Sequence, residues 1–178
     1  MASEAAPTVV MVMGVSGSGK TTVGTALARR RGVPFVEGDS LHPPANIAKM
    51  SSGRPLDDRD RAPWLRSVAG LIRAATRTGT GAVISCSALK REYRDLFLAA
   101  GPGVWFLYLA LDREVAHERV AHRVGHFMPA QLIGSQYATL EPLAPDEPGL
   151  TVDARAEPRA LLALAQAAIA RSEAARGV

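Results

Sequence analysis

The chain is poor in cysteine and in lysine, and it lacks an apolar run long enough to cross a membrane. Its one cysteine, Cys86, excludes an intrachain disulfide, which fits a reducing compartment. The longest apolar stretch, residues 161–170, is too short to span a bilayer. The first eight residues lack the basic start and apolar run of a secretory signal. We therefore expect a cytoplasmic protein with no membrane partner.

The basic residues are strongly biased towards arginine. Of 21 basic residues, 18 are Arg and three are Lys, at positions 20, 49 and 90, so each lysine is a candidate for a chemical role. Nucleic-acid-binding segments typically mix Lys and Arg with aromatic residues. The nearest cluster, Arg29–Arg31, falls at the end of a predicted helix, where positive charge complements the helix dipole. We expect no nucleic-acid partner, and phosphorylated substrates account for the net charge of +4.

Short apolar runs alternate with helix-length segments along the 178 residues, which suit one domain of α/β class. Continuous apolar runs are typical of parallel strands buried on both faces. The predicted strands cover residues 8–13, 34–37, 82–86, 104–110 and 150–153. The predicted helices cover about 20–31, 61–78, 90–100, 113–123 and 157–175, with Asp112 as an N-cap and Pro158 in a first turn.

Two stretches interrupt this alternation, and we expect a flexible tail over residues 1–7. Residues 38–63 are rich in Pro, Asp and Arg, and residues 125–148 follow an arginine-bearing helix. Insertions of this length in a compact domain are usually functional loops or lids. The first predicts a substrate-binding insertion, and the second, with the preceding helical turn, predicts a lid over about residues 119–140.

A phosphate-binding loop lies between the first strand and the first helix. Residues 14–21 match the pattern G-x-x-x-x-G-K-[ST] at every fixed position. Glycine lets backbone N–H groups approach phosphate oxygens, and the helix N-terminus adds positive charge. Lys20 is expected to reach the β- and γ-phosphates of ATP, and Thr21 to place its hydroxyl on Mg²⁺. The expected nucleotide-binding residues are Gly14, Ser16, Gly17, Ser18, Gly19, Lys20, Thr21 and Thr22.

The missing motifs narrow the class of enzyme. The sequence has no Asn-Lys-x-Asp guanine-reading motif, which argues against a GTPase, and no apolar strand ending in Asp for a second magnesium ligand. Magnesium is then held by Thr21, phosphates and water, with Glu37 or Asp39 as helpers. These absences, with the lid-like insertions, favour a small-molecule kinase over a switch or a motor.

Glu37 and Asp39 follow the second strand, whose carboxyl end faces the ligand crevice of an open α/β sheet. A carboxylate there orients, or deprotonates, the hydroxyl that accepts the phosphoryl group. Asp39 is the candidate base. The alternative is a turn in which the Gly-Asp-Ser sequence forms an Asx cap.

Longer segments resemble the gluconokinase family. They are Gly38–Pro43, Asn46–Met50, Gly53–Leu65, Cys86–Asp95, Gly125–Phe127, Gln136 and Thr139–Glu141. The resemblance runs from about residue 10 to residue 142. It implies transfer of the ATP γ-phosphate to the 6-hydroxyl of D-gluconate. It also implies a three-layer P-loop kinase fold with a five-stranded parallel sheet in the order 2-3-1-4-5, helices on both faces, a lid, and a homodimer.

Gluconate needs cations for its carboxylate and hydrogen-bonding groups for its hydroxyls. With Asp39, the candidates are His42, Lys49, Arg54, Arg61, Lys90, Arg94, His126 and Gln136. Lys90 and Arg94 come first, since they follow the third strand and lie one turn apart. The alternative for His42 is a purely structural histidine beside Pro43. Asp60 and Arg61 have the alternative of capping and bracing the next helix, and Trp64 is expected in the core.

The lid carries Arg119 and Arg123, which share a helix face. In related kinases such residues contact the nucleotide, so both are nucleotide-binding candidates and Arg123 is a catalytic one. The alternative is a solvated basic face. His117 and His122 are expected at the surface, and a zinc site is not expected because Cys86 stands alone. Two other functions stay open: a kinase for shikimate or a nucleoside monophosphate, and a nucleotide-binding regulator without catalysis.

Overall fold

A parallel sheet forms the centre of the computed structural model, which describes residues 6–123 and 129–177. Its strands are β1 (Val9–Met13), β2 (Phe35–Glu37), β3 (Ala82–Ser85), β4 (Val104–Ala110) and β5 (Gly149–Asp153). Their order is β2-β3-β1-β4-β5, which confirms the order 2-3-1-4-5. Val12 pairs with Ser85 on one side and with Leu107 on the other, so β1 is central.

Seven α-helices lie in the described ranges. They are α1 (Lys20–Arg31), α2 (Pro44–Ser51), α3 (Asp58–Thr78), α4 (Arg91–Ala100), α5 (Arg113–Ala121), α6 (Ile133–Thr139) and α7 (Pro158–Arg176). Five of these helices confirm the predicted ones, whereas α2 and α6 were not predicted. Two 3₁₀ turns, Gly38–Leu41 and Ala130–Leu132, accompany them. In the described ranges, none of the helices is long and apolar enough to cross a membrane.

The sheet separates two apolar cores, because successive strand residues point to opposite faces. Met11 and Met13 pack with α3 and α4, where Trp64, expected in the core, is 1% exposed. Val10 and Val12 pack on the other face with residues of α1 and α7. Every residue of β1 is fully buried, as its continuous apolar run predicts.

Local chemistry sets some of the helix ends. Asp57 caps α3 by accepting from the Asp60 N–H at 2.8 Å, while the Asp60 carboxylate accepts from the Asp57 N–H at 2.9 Å. The capping alternative for Asp60 is therefore confirmed, and α3 begins three residues before the prediction. Pro158 occupies the first turn of α7 as predicted. Asp112 has the N-cap position of α5, but its side chain makes no capping bond there. It pairs with Arg155 at 3.1 Å instead.

Candidate active site

The phosphate-binding loop joins β1 to α1 in a conformation that depends on glycine. Gly17 has φ +85° and Gly19 has φ +95°, both in the left-handed region that L side chains rarely adopt. A Cβ on Gly17 would lie 3.2 Å from the Ala116 carbonyl oxygen, so α5 packs directly on the loop. Lys20 is buried, and its ammonium donates to the Val15 carbonyl at 3.2 Å.

The loop has the features of a phosphate cradle. The hydroxyls of Ser16 and Ser18 are buried and make no hydrogen bond within the part of the chain that the structure describes. Buried polar groups normally have partners. The N-terminus of α1 opens on the same space, with its cap at Gly19. Phosphate oxygens would satisfy both hydroxyls and the free helical N–H groups, so these residues fit a nucleoside triphosphate.

The residues around Thr21 fit a magnesium ion held mainly by phosphates. The Thr21 hydroxyl donates to Glu37 at 2.5 Å, which turns the oxygen lone pairs away from Glu37. The buried Ser85 hydroxyl donates to the other oxygen of the same carboxylate. Among the described residues, no group of three or more His, Cys, Asp or Glu side chains could hold a metal. Mg²⁺ usually keeps several waters and binds substrate phosphates with few protein ligands, and the Ser or Thr hydroxyl of a phosphate-binding loop is one such ligand.

Asp39 lies between two neighbouring cavities. One is the nucleotide cavity, lined by Gly17, Gly19, Lys20, Thr21, Glu37, Asp39 and Ser40. The other, which we name the polar pocket, has Asp39, His42 and Arg61 in its wall. The Asp39 carboxylate lies 3.7 Å from the Lys20 ammonium and accepts from the Ser87 N–H at 3.4 Å. It therefore faces both the nucleotide cavity and the polar pocket.

His42 forms one wall of the polar pocket. Its ring stacks on Trp64 with centroids 4.3 Å apart, and its Nδ1 lies 3.3 Å from the Asn46 amide nitrogen. That amide also donates to the Asp60 carbonyl at 2.7 Å, so Nδ1 is the acceptor and Nε2 carries the proton. Burial lowers the pKa of His42 to about 4; the Asp39 carboxylate opposes this shift and Arg61 adds to it. The neutral ring can donate one hydrogen bond to a hydroxyl.

Arg61 supplies positive charge to the polar pocket. Among the described residues that line it, Arg61 is the one with a permanent positive charge. Its guanidinium donates to the Tyr93 hydroxyl at 3.1 Å and lies 3.9 Å from Asp58. These partners use one end of the guanidinium and fix its plane. The remaining donors suit a carboxylate.

The other cations predicted in the insertion and after β3 lie outside the described lining of the polar pocket. Lys49 pairs with Asp60 at 2.5 Å, and Lys90 pairs with Asp58 at 2.9 Å. Arg54 is exposed and donates to the Ser52 hydroxyl at 3.1 Å. The structure therefore gives no support to their predicted contact with substrate. The two lysines instead brace the start of α3, beside Arg61.

Arg94 requires a correction. It is 0% exposed, and its guanidinium forms a two-pronged ion pair with buried Glu147, at 2.6 and 2.9 Å. Its other nitrogen donates to backbone carbonyls, including Ala88 at 2.9 Å. A side chain enclosed and bonded in this way has no face for a ligand. The prediction that Arg94 contacts the substrate is wrong.

Two of the predicted lid residues, Arg119 and Gln136, contact the phosphate-binding loop. Arg119 is exposed and donates to the Gly17 carbonyl at 3.2 Å, beside the nucleotide cavity. Gln136, in α6, accepts from the Ser16 N–H at 2.7 Å and lines the polar pocket. Arg123 is exposed beyond the end of α5. The predicted contact of His126 lies outside the described residues.

Several residues of the site were not singled out from the sequence. Tyr93, Ser85 and Asn46 orient Arg61, Glu37 and His42 respectively. Tyr93 and Asn46 lie inside the segments that resemble a known family. That resemblance was the signal that could have identified them. Their roles depend on contacts across the fold that no local pattern contains.

Comparison with known proteins finds relatives that match most of the chain. A family model described as an AAA domain matches residues 9–143, which include the loop and the polar pocket. The chain is 48% identical over 156 residues to a gluconokinase from Gluconobacter oxydans, covering 88% of each chain. A solved sugar kinase from Janibacter is 48% identical with a TM-score of 0.87, covering 92% of this chain and 95% of that one. A solved gluconokinase from Sinorhizobium meliloti is 46% identical with a TM-score of 0.82, covering 94% of each chain. Similarity of this degree over most of both chains shows that the protein belongs to the gluconokinase family.

Proposed function

We propose that this protein is an ATP-dependent gluconokinase that transfers the γ-phosphate of ATP to the 6-hydroxyl of D-gluconate. The observation that carries the proposal is the position of Asp39, which lines both the nucleotide cavity and the polar pocket. A carboxylate shared by a phosphate cradle and an acceptor pocket is what phosphoryl transfer to a hydroxyl requires.

In this proposal the chain positions two substrates and stabilises charge. Bound MgATP supplies the phosphoryl group. Lys20 lies beside the transferred phosphate and Asp39 accepts the proton of the attacking hydroxyl, or a hydrogen bond from it. Thr21 would hold the magnesium ion through its hydroxyl oxygen, and Glu37 orients that hydroxyl by accepting its proton in a hydrogen bond. Arg119 and Arg123 add positive charge as the lid closes.

Arg61 is our candidate for the gluconate carboxylate. It carries the permanent positive charge of the described pocket wall, and its guanidinium is held by Tyr93. The His42 Nε2–H and the side chain of Gln136 line the same space and suit substrate hydroxyls. An acidic polyol therefore fits this pocket better than a neutral sugar, which lacks a carboxylate for the remaining guanidinium donors of Arg61.

A coupled assay tests the activity. Purified protein receives MgATP and D-gluconate, and added 6-phosphogluconate dehydrogenase reports the product as NADPH. We expect a signal that requires both substrates. A panel of shikimate, AMP and D-glucose as acceptors gives the control. We expect D-gluconate to be preferred over D-glucose by at least about 10²-fold in kcat/KM, because D-glucose lacks the carboxylate that Arg61 would bind. Turnover of shikimate or AMP with gluconate inert would overturn the assignment.

We also propose a cytoplasmic homodimer. A groove between α3 and α4 has an apolar floor that includes Leu65, and Leu96 at its edge is 52% exposed. Exposed Arg66 lies on the α3 side, and α4 carries exposed Asp95. A twofold axis would bring each basic side against the acidic side of a second copy. Analytical ultracentrifugation should give a dimer for the wild type and a monomer for Leu96→Asp, whereas a monomeric wild type contradicts the proposal.

A further inference from the structure

The backbone that follows β3 touches every part of the site. We name residues 87–89 the β3 loop. The Ser87 carbonyl accepts from the Gly14 N–H of the phosphate-binding loop at 3.4 Å, and the Ser87 N–H donates to the Asp39 carboxylate at 3.4 Å. Ser87 and Leu89 also line the polar pocket. A shift of the β3 loop would therefore move the base relative to both substrates.

The β3 loop is held in an unfavourable conformation. Ala88 has φ +45°, and it is the only non-glycine residue with positive φ among the residues that the structure describes. Its side chain is fully buried. A residue with a Cβ persists in this region only where its surroundings enforce it.

Arg94 provides the contacts that fix the β3 loop. One of its terminal nitrogens donates to the carbonyls of Ala88 at 2.9 Å, Leu89 at 3.5 Å and Glu141 at 3.0 Å. Glu147 engages the other two nitrogens of the guanidinium. The Glu141 N–H donates in turn to the Leu89 carbonyl at 2.7 Å. Arg94 thus joins the β3 loop to the segment that follows α6, while Glu147 neutralises its charge.

We propose that Arg94, with Glu147 as its counter-ion, is a positioning residue for phosphoryl transfer. The pair fixes the β3 loop so that the Ser87 N–H holds the Asp39 carboxylate between the two substrates. This role rests on the proposed function. It also accounts for a buried ion pair beside an active site, where an apolar pair would give equal or greater stability.

The test replaces the pair by apolar residues of similar volume. Arg94→Met/Glu147→Leu removes the contacts with the β3 loop without leaving a buried charge. We expect a folded protein whose kcat falls by about 10²-fold, since displacement of a reacting group by about 1 Å has that effect. KM for MgATP and for gluconate should stay within about threefold, because ground-state contacts remain. A role in stability alone would change the unfolding temperature and leave kcat intact.

Arg91→Met is the matched control. Arg91 also joins α4 to the same segment, through an exposed pair with Asp146 at 2.6 Å, but it makes no side-chain bond to the β3 loop among the described contacts. We expect wild-type kinetics. Should the double variant not fold, Arg94→Lys keeps the charge opposite Glu147 and loses the contacts to several carbonyls, so kcat should fall by about tenfold.

The outcomes separate the two proposals. A wild type without gluconate-dependent turnover overturns the proposed function, and the positioning role falls with it. An active wild type whose folded double variant, or whose Arg94→Lys variant, keeps full kcat overturns the positioning role alone. An active wild type with a selective loss of kcat in these variants, and not in Arg91→Met, supports both.

Discussion

Asp39 shows how one side chain comes to serve two cavities. It stands in a 3₁₀ turn directly after β2, and the turn places the carboxylate beside Lys20 while the backbone runs on towards His42. Because β2 pairs with β3, the same turn faces the backbone that follows β3, and the Ser87 N–H becomes its partner. A short strand and a tight turn thus position the group on which the proposed chemistry depends.

We predict that Asp39→Asn lowers kcat by about 10²–10⁴-fold, because the amide has the same shape but accepts no proton. The KM for MgATP should change little, since Lys20 and the phosphate-binding loop are untouched. Steady-state kinetics with both substrates varied gives the measurement. Asp146→Asn is the control, because that carboxylate is exposed, pairs with Arg91 and should be dispensable. A fully active Asp39→Asn enzyme would remove Asp39 from the mechanism.

At the residue scale, sequence reasoning identifies groups by chemistry but not by burial. Lys20, Thr21, Asp39, His42, Arg61 and Gln136 all lie around the two cavities, as the motifs indicate. Arg94 was misassigned because its partner Glu147 stands 53 residues further along the chain. A free arginine and an arginine with a buried counter-ion look the same in a sequence.

Elements of the insertion and of the lid close the polar pocket together. Met50 in α2, Leu56 before α3 and Leu132 after the undescribed segment form a small apolar cluster, which we name the latch. All three residues line the polar pocket. Their contact joins the predicted insertion to the segment that begins at residue 129, so we expect the latch to hold the wall of the polar pocket in place.

We predict that Leu132→Ala raises the KM for gluconate by at least about tenfold. Leu132 lines the polar pocket, so its truncation removes part of the wall against which the substrate packs. Each 1.4 kcal/mol of lost binding corresponds to a factor of about ten. The KM for MgATP should change less, because the latch does not line the nucleotide cavity. Leu164→Ala on α7 is the matched control, since Leu164 is 57% exposed. Equal KM values for Leu132→Ala and wild type would show that the latch has no part in binding.

A glycine in α3 gives a prediction about helix stability. A Cβ at Gly70 would meet no atom within 4 Å, and Gly70 does not have positive φ. We predict that Gly70→Ala raises the free energy of unfolding by about 0.5–1 kcal/mol, because alanine is the better helix former. Urea titration measures it. Gly17→Ala is the opposite case, because Gly17 combines positive φ with close contacts to α5. A similar gain in the free energy of unfolding for both variants would refute the argument.

At the element scale, the regular helices and strands follow from their patterns, whereas α2 and α6 do not. Pro43 and Pro44 indicate a turn, yet Pro44 occupies the first turn of α2, where its missing N–H has no cost. The short α6 packs against α5, a contact that apolar periodicity over seven residues does not reveal.

Local sequence patterns do not determine the strand order of the sheet, although the geometry of the site depends on that order. Alternation of strands and helices predicts a parallel sheet, but many strand orders satisfy it. The order 2-3-1-4-5 came from resemblance, and the structure confirms it. It brings the ends of β1, β2 and β3 together, which is why residues 14, 39 and 87 meet although they are far apart in the chain.

The stability of the whole molecule should depend on His42 in mildly acidic solution. Burial lowers its pKa from 6.5 to about 4 in the folded state. Between these values the unfolded chain binds a proton that the folded chain does not, so stability rises with pH across this range. The contribution is complete above pH 6.5 and is lost as pH falls through 4. A shift of this size corresponds to about 3 kcal/mol.

The variant His42→Gln isolates this contribution, because glutamine has no proton to gain. We predict that the free energy of unfolding of the wild type, minus that of His42→Gln, increases by about 2–3 kcal/mol from pH 4 to pH 7. Urea unfolding at four pH values measures both proteins, and titrating carboxylates cancel in the difference. Loss of the stacking on Trp64 adds an offset that does not vary with pH. Parallel curves for the two proteins would mean that the pKa of His42 is the same in the folded and unfolded chains, which would contradict the effect of burial.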